Sequence, residues 1–168
     1  DVTYDSRKAK PGDVFVCMTG TRVDSHIFIP KVEEAGCRVV VAERPLKELL
    51  KPVRPETTII RVKDGRHALA LLSAARFGHP ARKLTMIGVT GTKGKTTTAH
   101  MIKAVLEACG KKVGMIGTNG TFIGDEVTPN LNTTPESYQL HQAFAKMVEA
   151  GCEYMVMEVS SQGIKMRR

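Results

Sequence analysis

Short apolar runs alternate with segments of helical periodicity through the first half of this chain. Runs at residues 14–17, 39–42 and 57–62 each predict a buried strand. Helices are predicted at 30–36 and 64–78, the second because its apolar residues recur at i, i+3, i+4 and i+7. The pattern predicts a small α/β unit.

The second half repeats this alternation. Residues 84–89 form a nearly continuous apolar run, which predicts a strand covered on both faces. Two further strands and two helices are predicted, the strands at 112–118 and 154–157 and the helices at 96–109 and 135–151. Strands that alternate with helices favour a mostly parallel sheet.

A glycine-bearing loop joins the first strand of this half to its first helix, with the sequence GVTGTKGKTTT at residues 88–98. We call it the glycine loop. A loop of this kind between strand and helix surrounds a polyphosphate with backbone N–H groups. Val89 stands where the strict form of the motif has glycine, but glycines flank it and still permit close approach. Lys95 is therefore expected on the β- and γ-phosphates, and the Thr96 hydroxyl on Mg²⁺.

Glu158 follows the predicted strand at 154–157 and precedes Val-Ser-Ser. A carboxylate at the carboxyl end of a strand, in the same sheet as a phosphate-binding loop, is well placed to hold a metal ion or its water. The alternative is an ordinary acid at a strand end. Because the glycine loop lies upstream, we interpret Glu158 as a metal-binding residue.

The segment from Asn132 to Glu136 reads Asn-Thr-Thr-Pro-Glu. A structural interpretation accounts for its second half, in which Thr134 caps a helix, Pro135 takes the first helical position and Glu136 favours the helix dipole. That interpretation leaves Asn132 and Thr133 unexplained. Helix capping therefore accounts for only part of the segment.

Two polar clusters lie in the first half. Asp5-Ser6-Arg7 precedes a predicted turn, and residues 20–26, GTRVDSH, follow the first predicted strand. Loops after strands are where α/β folds place ligands, so both clusters are candidates for binding, with a solvated loop as the alternative. His26 by itself is interpreted as a surface or core histidine rather than a catalyst.

Composition narrows the class of ligand. The chain has 25 Lys and Arg against 17 Asp and Glu, a net charge of +8, but only three Tyr, five Phe and no Trp. Scarce aromatic side chains argue against stacking on nucleic acid, and positive charge also suits small anions such as nucleotides. No apolar run approaches the roughly 20 residues of a membrane span. The four cysteines form no C-x-x-C pair and are interpreted as buried, reduced thiols of a cytoplasmic protein.

Taken together, these segments resemble the Mur ligases of bacterial cell-wall synthesis. Four motifs carry the resemblance in the family's order: Asp-Ser-Arg with PGDVFV (5–7 and 11–16), the glycine loop, Asn-Thr-Thr-Pro-Glu (132–136) and Glu-Val-Ser-Ser (158–161). Folylpolyglutamate-type ligases share the loop, but the combination is more selective. Lys93 replaces the asparagine commonest at its position, and Gln162 stands where some members have histidine. Neither change removes a group on which the chemistry depends.

The resemblance implies a fold and a set of site residues. Residues 1–82 would form a small α/β domain that binds UDP, and residues 83–168 the first part of a P-loop, mostly parallel-sheet ATP-binding domain. Lys95 and Glu158 would be catalytic, with Thr96 and Glu158 on Mg²⁺. ATP would be cradled by Gly91, Thr92, Lys93, Gly94, Lys95, Thr96 and Thr97. The substrate would contact Ser6, Thr21, Arg22 and Val23 at its uridine diphosphate, and Asn132, Thr133, Thr134, Ser160 and Arg168 at its muramoyl-peptide end.

The implied reaction is ATP-dependent amide formation. ATP phosphorylates the D-glutamyl carboxylate of UDP-N-acetylmuramoyl-L-alanyl-D-glutamate, and the amine of free diaminopimelate or lysine displaces phosphate from the acyl phosphate. The enzyme would be cytoplasmic and monomeric at full length, with no nucleic-acid or membrane partner. The sequence stops soon after Glu158, so we expect these 168 residues alone to bind nucleotide weakly at best and not to ligate.

Two other functions stay open on the sequence. The chain could be a module that binds a UDP-sugar or nucleotide without catalysis. It could also be another P-loop NTPase, although no guanine-specificity motif of the Asn-Lys-x-Asp kind is present.

Overall fold

The computed structural model describes residues 1–20, 23–45, 48 and 52–168. These residues divide into two compact units, Asp1–Leu72 and Ser73–Arg168. Each unit has its own sheet. The α/β architecture predicted from the sequence is confirmed.

The first unit is built on four parallel strands. In chain order and in sheet order they are β1 (Val2–Thr3), β2 (Val14–Val16), β3 (Val39–Ala42) and β4 (Thr58–Arg61). A 3₁₀ turn (Ser25–Phe28) and helix α1 (Ile29–Glu34) connect β2 to β3, and helix α2 (Gly65–Arg76) follows β4. Because the strands are parallel, the segments that follow β2, β3 and β4 meet at one edge of the sheet.

The core of the first unit combines apolar side chains of β2, β3 and α1. Its buried members are Phe15, Cys17, Ile29, Val32, Cys37 and Val40. Burial raises the pKa of the Cys17 thiol to about 12. β1 is not predicted from the sequence, because two residues are too few to show a period.

The second unit contains five strands. They are β5 (Thr85–Val89), β6 (Val113–Gly117), β7 (Gly120–Ile123), β8 (Glu126–Thr128) and β9 (Tyr154–Glu158), and their order in the sheet is β5-β9-β6-β7-β8. β5, β9 and β6 are parallel, whereas β7 and β8 are antiparallel to their neighbours. The parallel part confirms the prediction. β8 is not predicted, since its three exposed residues show no apolar alternation.

Helices α3 (Lys95–Ala108), α4 (Ser137–Glu149) and the short α5 (Ser161–Lys165) complete the second unit. Side chains of α4 pack on one face of the sheet, in a cluster with Leu84, Ile116, Leu140, Phe144, Met147, Cys152 and Met155. Ala99 of α3 packs with Val113, Met115 and Val156, which alternate with residues of the first cluster and so belong to the opposite face. None of the helices in the described ranges is both long and apolar enough to cross a membrane.

Three details differ from the predictions. The strand at 84–89 was expected to be covered on both faces, but β5 lies at the edge of its sheet, with three of its five residues exposed and two half-buried. α4 begins at Ser137 rather than at Pro135, because Glu136 has an extended backbone with φ −68° and ψ 156°. The side chain of Thr134 contacts the end of β9 instead of capping the helix. Cys109 is exposed, whereas the other three cysteines are buried as expected.

Candidate active site

The glycine loop joins β5 to α3, as predicted. Gly94, immediately before α3, has a left-handed backbone with φ +76°, and Gly91 has φ +148°. A side chain at Gly94 would meet no atom within 4 Å, so its backbone conformation rather than lack of space favours glycine. In the described part of the chain, no side chain caps the start of α3 by a hydrogen bond. The first N–H groups of this helix can therefore face an anion.

Lys95 supplies the positive charge of this loop. Its Nζ donates a hydrogen bond to Gly91 O at 2.7 Å, so the ammonium group lies across the loop that it follows. A lysine at the base of an exposed loop and an uncapped helix start together fit a polyphosphate.

Glu158 ends β9 and lies opposite Val89 of β5 in the sheet register. Its side chain is almost wholly buried, with 1% exposed. Oε1 accepts a hydrogen bond from Thr118 N–H at 2.9 Å, and Oε2 accepts one from the Thr96 hydroxyl at 2.8 Å. A Cβ atom at Gly117 would lie 2.1 Å from Oε1, so the carboxylate occupies the space of the missing side chain.

The groups around Glu158 fit Mg²⁺ beside a nucleotide. They are one carboxylate and the hydroxyls of Thr96 and Thr118. Mg²⁺ is usually bound through one or two carboxylates plus substrate phosphates and keeps several waters. In the described ranges no three His, Cys, Asp or Glu side chains converge as a metal cage, the arrangement that structural zinc would require.

A cavity of about 330 Å³ opens next to this carboxylate; we call it the threonine cavity. It is lined by Thr118, Asn130, Leu131, Asn132, Thr133, Thr134, Ser160, Gln162 and Arg168. All five residues predicted at the muramoyl-peptide end are therefore brought together in one place. Their hydroxyl, amide and guanidinium groups suit a polar, anionic ligand.

Thr118 connects the cavity to Glu158, and the sequence interpretation did not identify it. Its hydroxyl lies 3.0 Å from the Thr133 hydroxyl and 3.3 Å from Glu158 Oε2. Thr118 directly follows β6, so its position after a parallel strand was the available signal.

Thr134 joins the Asn-Thr-Thr segment to the segment after β9. Its buried hydroxyl lies 3.0 Å from Glu158 O and accepts a hydrogen bond from Ser160 N–H at 3.1 Å. Ser160 Oγ in turn accepts from Gly163 N–H at 3.0 Å and caps α5. These contacts shape the wall of the cavity.

Arg168 is oriented by the carboxylate of Glu136, a residue that the sequence analysis interpreted only as favourable to a helix dipole. Its Nε donates to Glu136 Oε1 at 2.9 Å, and its Nη1 donates to Thr134 O at 3.2 Å. The two side chains of this ion pair are 13% and 17% exposed, so water screens the pair only partly. The guanidinium is thereby directed to the rim of the threonine cavity.

In the first unit, Ser6 lies in a turn between two paired charges. Arg7 binds Asp5 through Nε and Nη2, both at 2.8 Å, and Lys8 N–H donates to Asp5 O at 2.9 Å. The Arg7 guanidinium lowers the pKa of Asp5 to about 2. Val23 is 51% exposed, while Thr21 and Arg22 lie outside the described residues.

Comparison with known proteins identifies the family. The catalytic domain of the Mur ligase family matches residues 1–77, and the Mur ligase middle domain matches residues 89–168. The chain belongs to the Mur ligase family. The two matches lie mainly in the first and in the second compact unit, respectively.

Curated relatives match nearly every residue. A Clostridium perfringens protein named UDP-N-acetylmuramoyl-L-alanyl-D-glutamate--2,6-diaminopimelate ligase is 45% identical over 168 residues, all of this chain and 34% of the relative. A Geobacillus thermodenitrificans protein of the same name is 46% identical over 164 residues, 98% of this chain and 32% of the relative. The chain spans about a third of the length of the curated relatives it matches.

Solved structures agree with the fold. One Mur ligase structure, of a UDP-N-acetylmuramoyl-L-alanyl-D-glutamate--2,6-diaminopimelate ligase, matches with a TM-score of 0.80 at 24% identity. It covers 98% of this chain and 32% of that one, and at this identity it supports the fold alone. The MurF ligase of Thermotoga maritima in complex with ADP matches with a TM-score of 0.60 at 28% identity over 95% of this chain and 32% of that one.

Proposed function

We propose that the chain carries the UDP-substrate and ATP sites of a ligase that adds diaminopimelate to UDP-N-acetylmuramoyl-L-alanyl-D-glutamate. The single observation that carries the proposal is the place of Glu158, whose carboxylate contacts Thr96 of the glycine loop and Thr118 of the threonine cavity. A nucleotide in the glycine loop and a ligand in the threonine cavity would therefore meet at one carboxylate, which would position them for phosphoryl transfer. The names of the relatives support the choice of substrates.

The glycine loop would bind the ATP phosphates, with Lys95 released from Gly91 O to reach the β- and γ-phosphates. Thr96 and Glu158 would hold Mg²⁺, which when bound neutralises charge on the phosphates. This division separates binding of the phosphates from binding of the metal ion. Lys95 and the helix start bind anions, and Glu158 orients the hydroxyls around it.

The threonine cavity would hold the peptide end of the substrate, with Arg168 and the hydroxyls of Thr133 and Ser160 orienting the D-glutamyl group. A carboxylate oxygen of that group attacks the γ-phosphorus, and ADP leaves. The amine of diaminopimelate then attacks the acyl carbon, phosphate leaves with the bonding electrons, and the amine loses a proton. The chain's residues contribute position and charge rather than a covalent intermediate.

Ser6, Thr21, Arg22 and Val23 would bind the uridine diphosphate in the first unit. The reaction would take place in the cytoplasm. All four cysteines are free, which agrees with a reducing compartment.

The test is calorimetric titration of the full gene product with UDP-N-acetylmuramoyl-dipeptide in the presence of an ATP analogue. An assay of ADP release with diaminopimelate or lysine then follows. We expect ADP release that requires the dipeptide substrate and is faster with diaminopimelate. Binding of the UDP compound with no amide formation would instead show a binding module without catalysis.

Lys95→Ala separates the two sites. It should abolish nucleotide binding, because the loop loses its ammonium group, while binding of the UDP substrate stays largely intact. Equal loss of both would contradict the assignment of UDP to the first unit.

A further inference from the structure

We propose that His26 and Glu43 are positioning residues for the candidate UDP-binding loop of the first unit, residues 19–24. Neither belongs to the residues assigned above to a ligand. This inference rests on the proposed function, since it concerns how Thr19, Gly20, Val23 and Asp24, the described residues of this loop, are held.

The described residues of the 19–24 loop are tied to each other at its base. Gly20 N–H donates to Val23 O at 3.1 Å, and Thr19 forms an antiparallel bridge with Asp24. A Cβ atom at Gly20 would lie 2.3 Å from Val23 O, so the close approach requires glycine. The base of the loop is therefore narrow, and its orientation depends on the residues that bind Thr19 and Asp24.

His26 joins this loop to the segment after β3. The imidazole is buried, with 6% of the residue exposed. Its Nε2 accepts hydrogen bonds from the backbone N–H groups of Glu43 at 3.0 Å and Arg44 at 3.4 Å, and its Nδ1 contacts the Asp24 carboxylate. Since Nε2 accepts, the ring proton is assigned to Nδ1, which donates to Asp24. The side chain therefore connects two loops through its two nitrogens.

Glu43 extends this connection to a third segment. Its Oε2 accepts from Thr19 N–H at 3.2 Å and from the Thr19 hydroxyl, and its Oε1 accepts from Gly65 N–H at 2.7 Å. Thr19 follows β2, Glu43 follows β3, and Gly65 begins α2 after β4. A Cβ atom at Gly65 would lie 2.0 Å from Cys17 O, so this approach is also close. One carboxylate thus joins the segments that follow three parallel strands.

Among the described residues, the partners of the Glu43 side chain and of His26 Nε2 are all donors. Both carboxylate oxygens of Glu43 and Nε2 of His26 therefore have to accept hydrogen bonds. Amide side chains of similar size test this requirement, because they place either an acceptor or a donor at the same position. Loss of an acceptor leaves backbone N–H groups unpaired and loosens the hold on Thr19 or on His26. The chemistry at Lys95 and Glu158 uses none of these contacts.

Two histidine variants separate the contacts. His26→Gln keeps an oxygen that can accept from Glu43 and Arg44 N–H, whereas His26→Asn keeps only a donor toward Asp24. On the full gene product we expect the Kd of UDP, by calorimetry, to rise about tenfold for His26→Asn and less than about threefold for His26→Gln. KM for the UDP substrate should rise in parallel, while kcat and KM for ATP stay unchanged.

Glu43→Gln is the second, independent test, because its NH₂ group would face donors. We expect about a tenfold rise in the Kd of UDP. Glu34→Gln is the matched control at an exposed glutamate of α1 and should leave Kd unchanged. Equal Kd values for the wild type and all variants would overturn the inference but not the proposed function. So would equal losses of UDP affinity in the two histidine variants, if those losses parallel a fall in melting temperature. Absence of UDP binding by the wild type would overturn the proposed function, and the inference with it.

Discussion

Glu43 and Glu158 lie at the carboxyl ends of parallel strands, one in each unit, but their partners differ. Glu43 is bound by two backbone N–H groups and one hydroxyl. Glu158 is bound by one backbone N–H group and two hydroxyls. A hydroxyl can rotate and offer its oxygen to a cation, whereas a backbone N–H group can only donate. Two of the three groups bound to Glu158 can therefore turn toward a cation, against one of the three bound to Glu43, which favours chemistry at Glu158 and an anchoring role for Glu43.

The largest effect on activity is expected from substitution of Glu158. Glu158→Gln keeps the shape but removes the charge, so kcat should fall about 100-fold or more because the metal-binding charge is lost. ADP release at saturating substrates measures it. Glu153→Gln, at an exposed residue five positions upstream, is the control. If Glu158→Gln changed KM for the UDP substrate and not kcat, the contrast with Glu43 would disappear.

Thr118→Val tests whether the rotating hydroxyl matters. The backbone N–H to Glu158 is kept, and only the oxygen near Thr133 and Glu158 is lost. We expect kcat/KM to fall about tenfold, the effect of one lost hydrogen bond to a charged group. Thermal unfolding of the variant provides the control for folding. An unchanged kcat/KM would show that the backbone donor alone suffices.

Arg168→Lys tests whether the peptide end and the UDP end of the substrate bind to different units. Lysine cannot reproduce both the contact with Glu136 and the contact with Thr134 O, so the Kd of the UDP-dipeptide substrate should rise several-fold, up to about tenfold. Binding of UDP alone should not change, because this side chain lies in the second unit. Arg167→Lys is the neighbouring control. A matched loss of UDP affinity would mean that the two units do not divide the substrate as proposed.

The smallest effect concerns pH and the first unit. Arg7 lowers the pKa of Asp5 from 3.8 to about 2 in the folded state. A lowered carboxyl pKa stabilises the fold above the unfolded pKa, and this stability is lost as pH falls through about 4 toward 2. Urea unfolding at about pH 5 and pH 3 should show a smaller difference for Asp5→Asn than for wild type. Because the Arg7 side chain is 80% exposed, salt should reduce the effect.

Much of the fold could be predicted because its strands are continuous apolar runs. β2, β3, β6 and β9 are mostly buried, and such strands are visible without a partner. β5 also has a continuous apolar run, although it lies at the edge of its sheet and is partly exposed. β1 and β8 are short and gain their structure from pairing with a neighbour, which a local pattern does not show. The start of α4 was predicted two residues early, since Thr134 and Pro135 have the local chemistry of a helix start but the Thr134 hydroxyl contacts β9.

The candidate site shows the same limit. The resemblance to Mur ligases assigned the residues of the Asn-Thr-Thr and Glu-Val-Ser-Ser segments to one ligand. The strand pattern alone did not, because the first segment follows the antiparallel strand β8. Glu136, His26 and Glu43 could not be predicted to act there, because their roles depend on contacts with residues distant in sequence. For Thr118 the only signal was its place directly after a parallel strand. Their binding roles, like those of the motif residues, remain predictions for the experiments above.

Gly117 carries a consequence for how variants of this gene should be interpreted. A change to alanine adds one methyl group and would pass as mild in any scale of side-chain similarity. Here that methyl group would lie only 2.1 Å from Glu158 Oε1, so the carboxylate would have to move. An inherited or selected Gly117→Ala allele should therefore displace the carboxylate from Thr96 and Thr118, although it alters no group that touches a ligand.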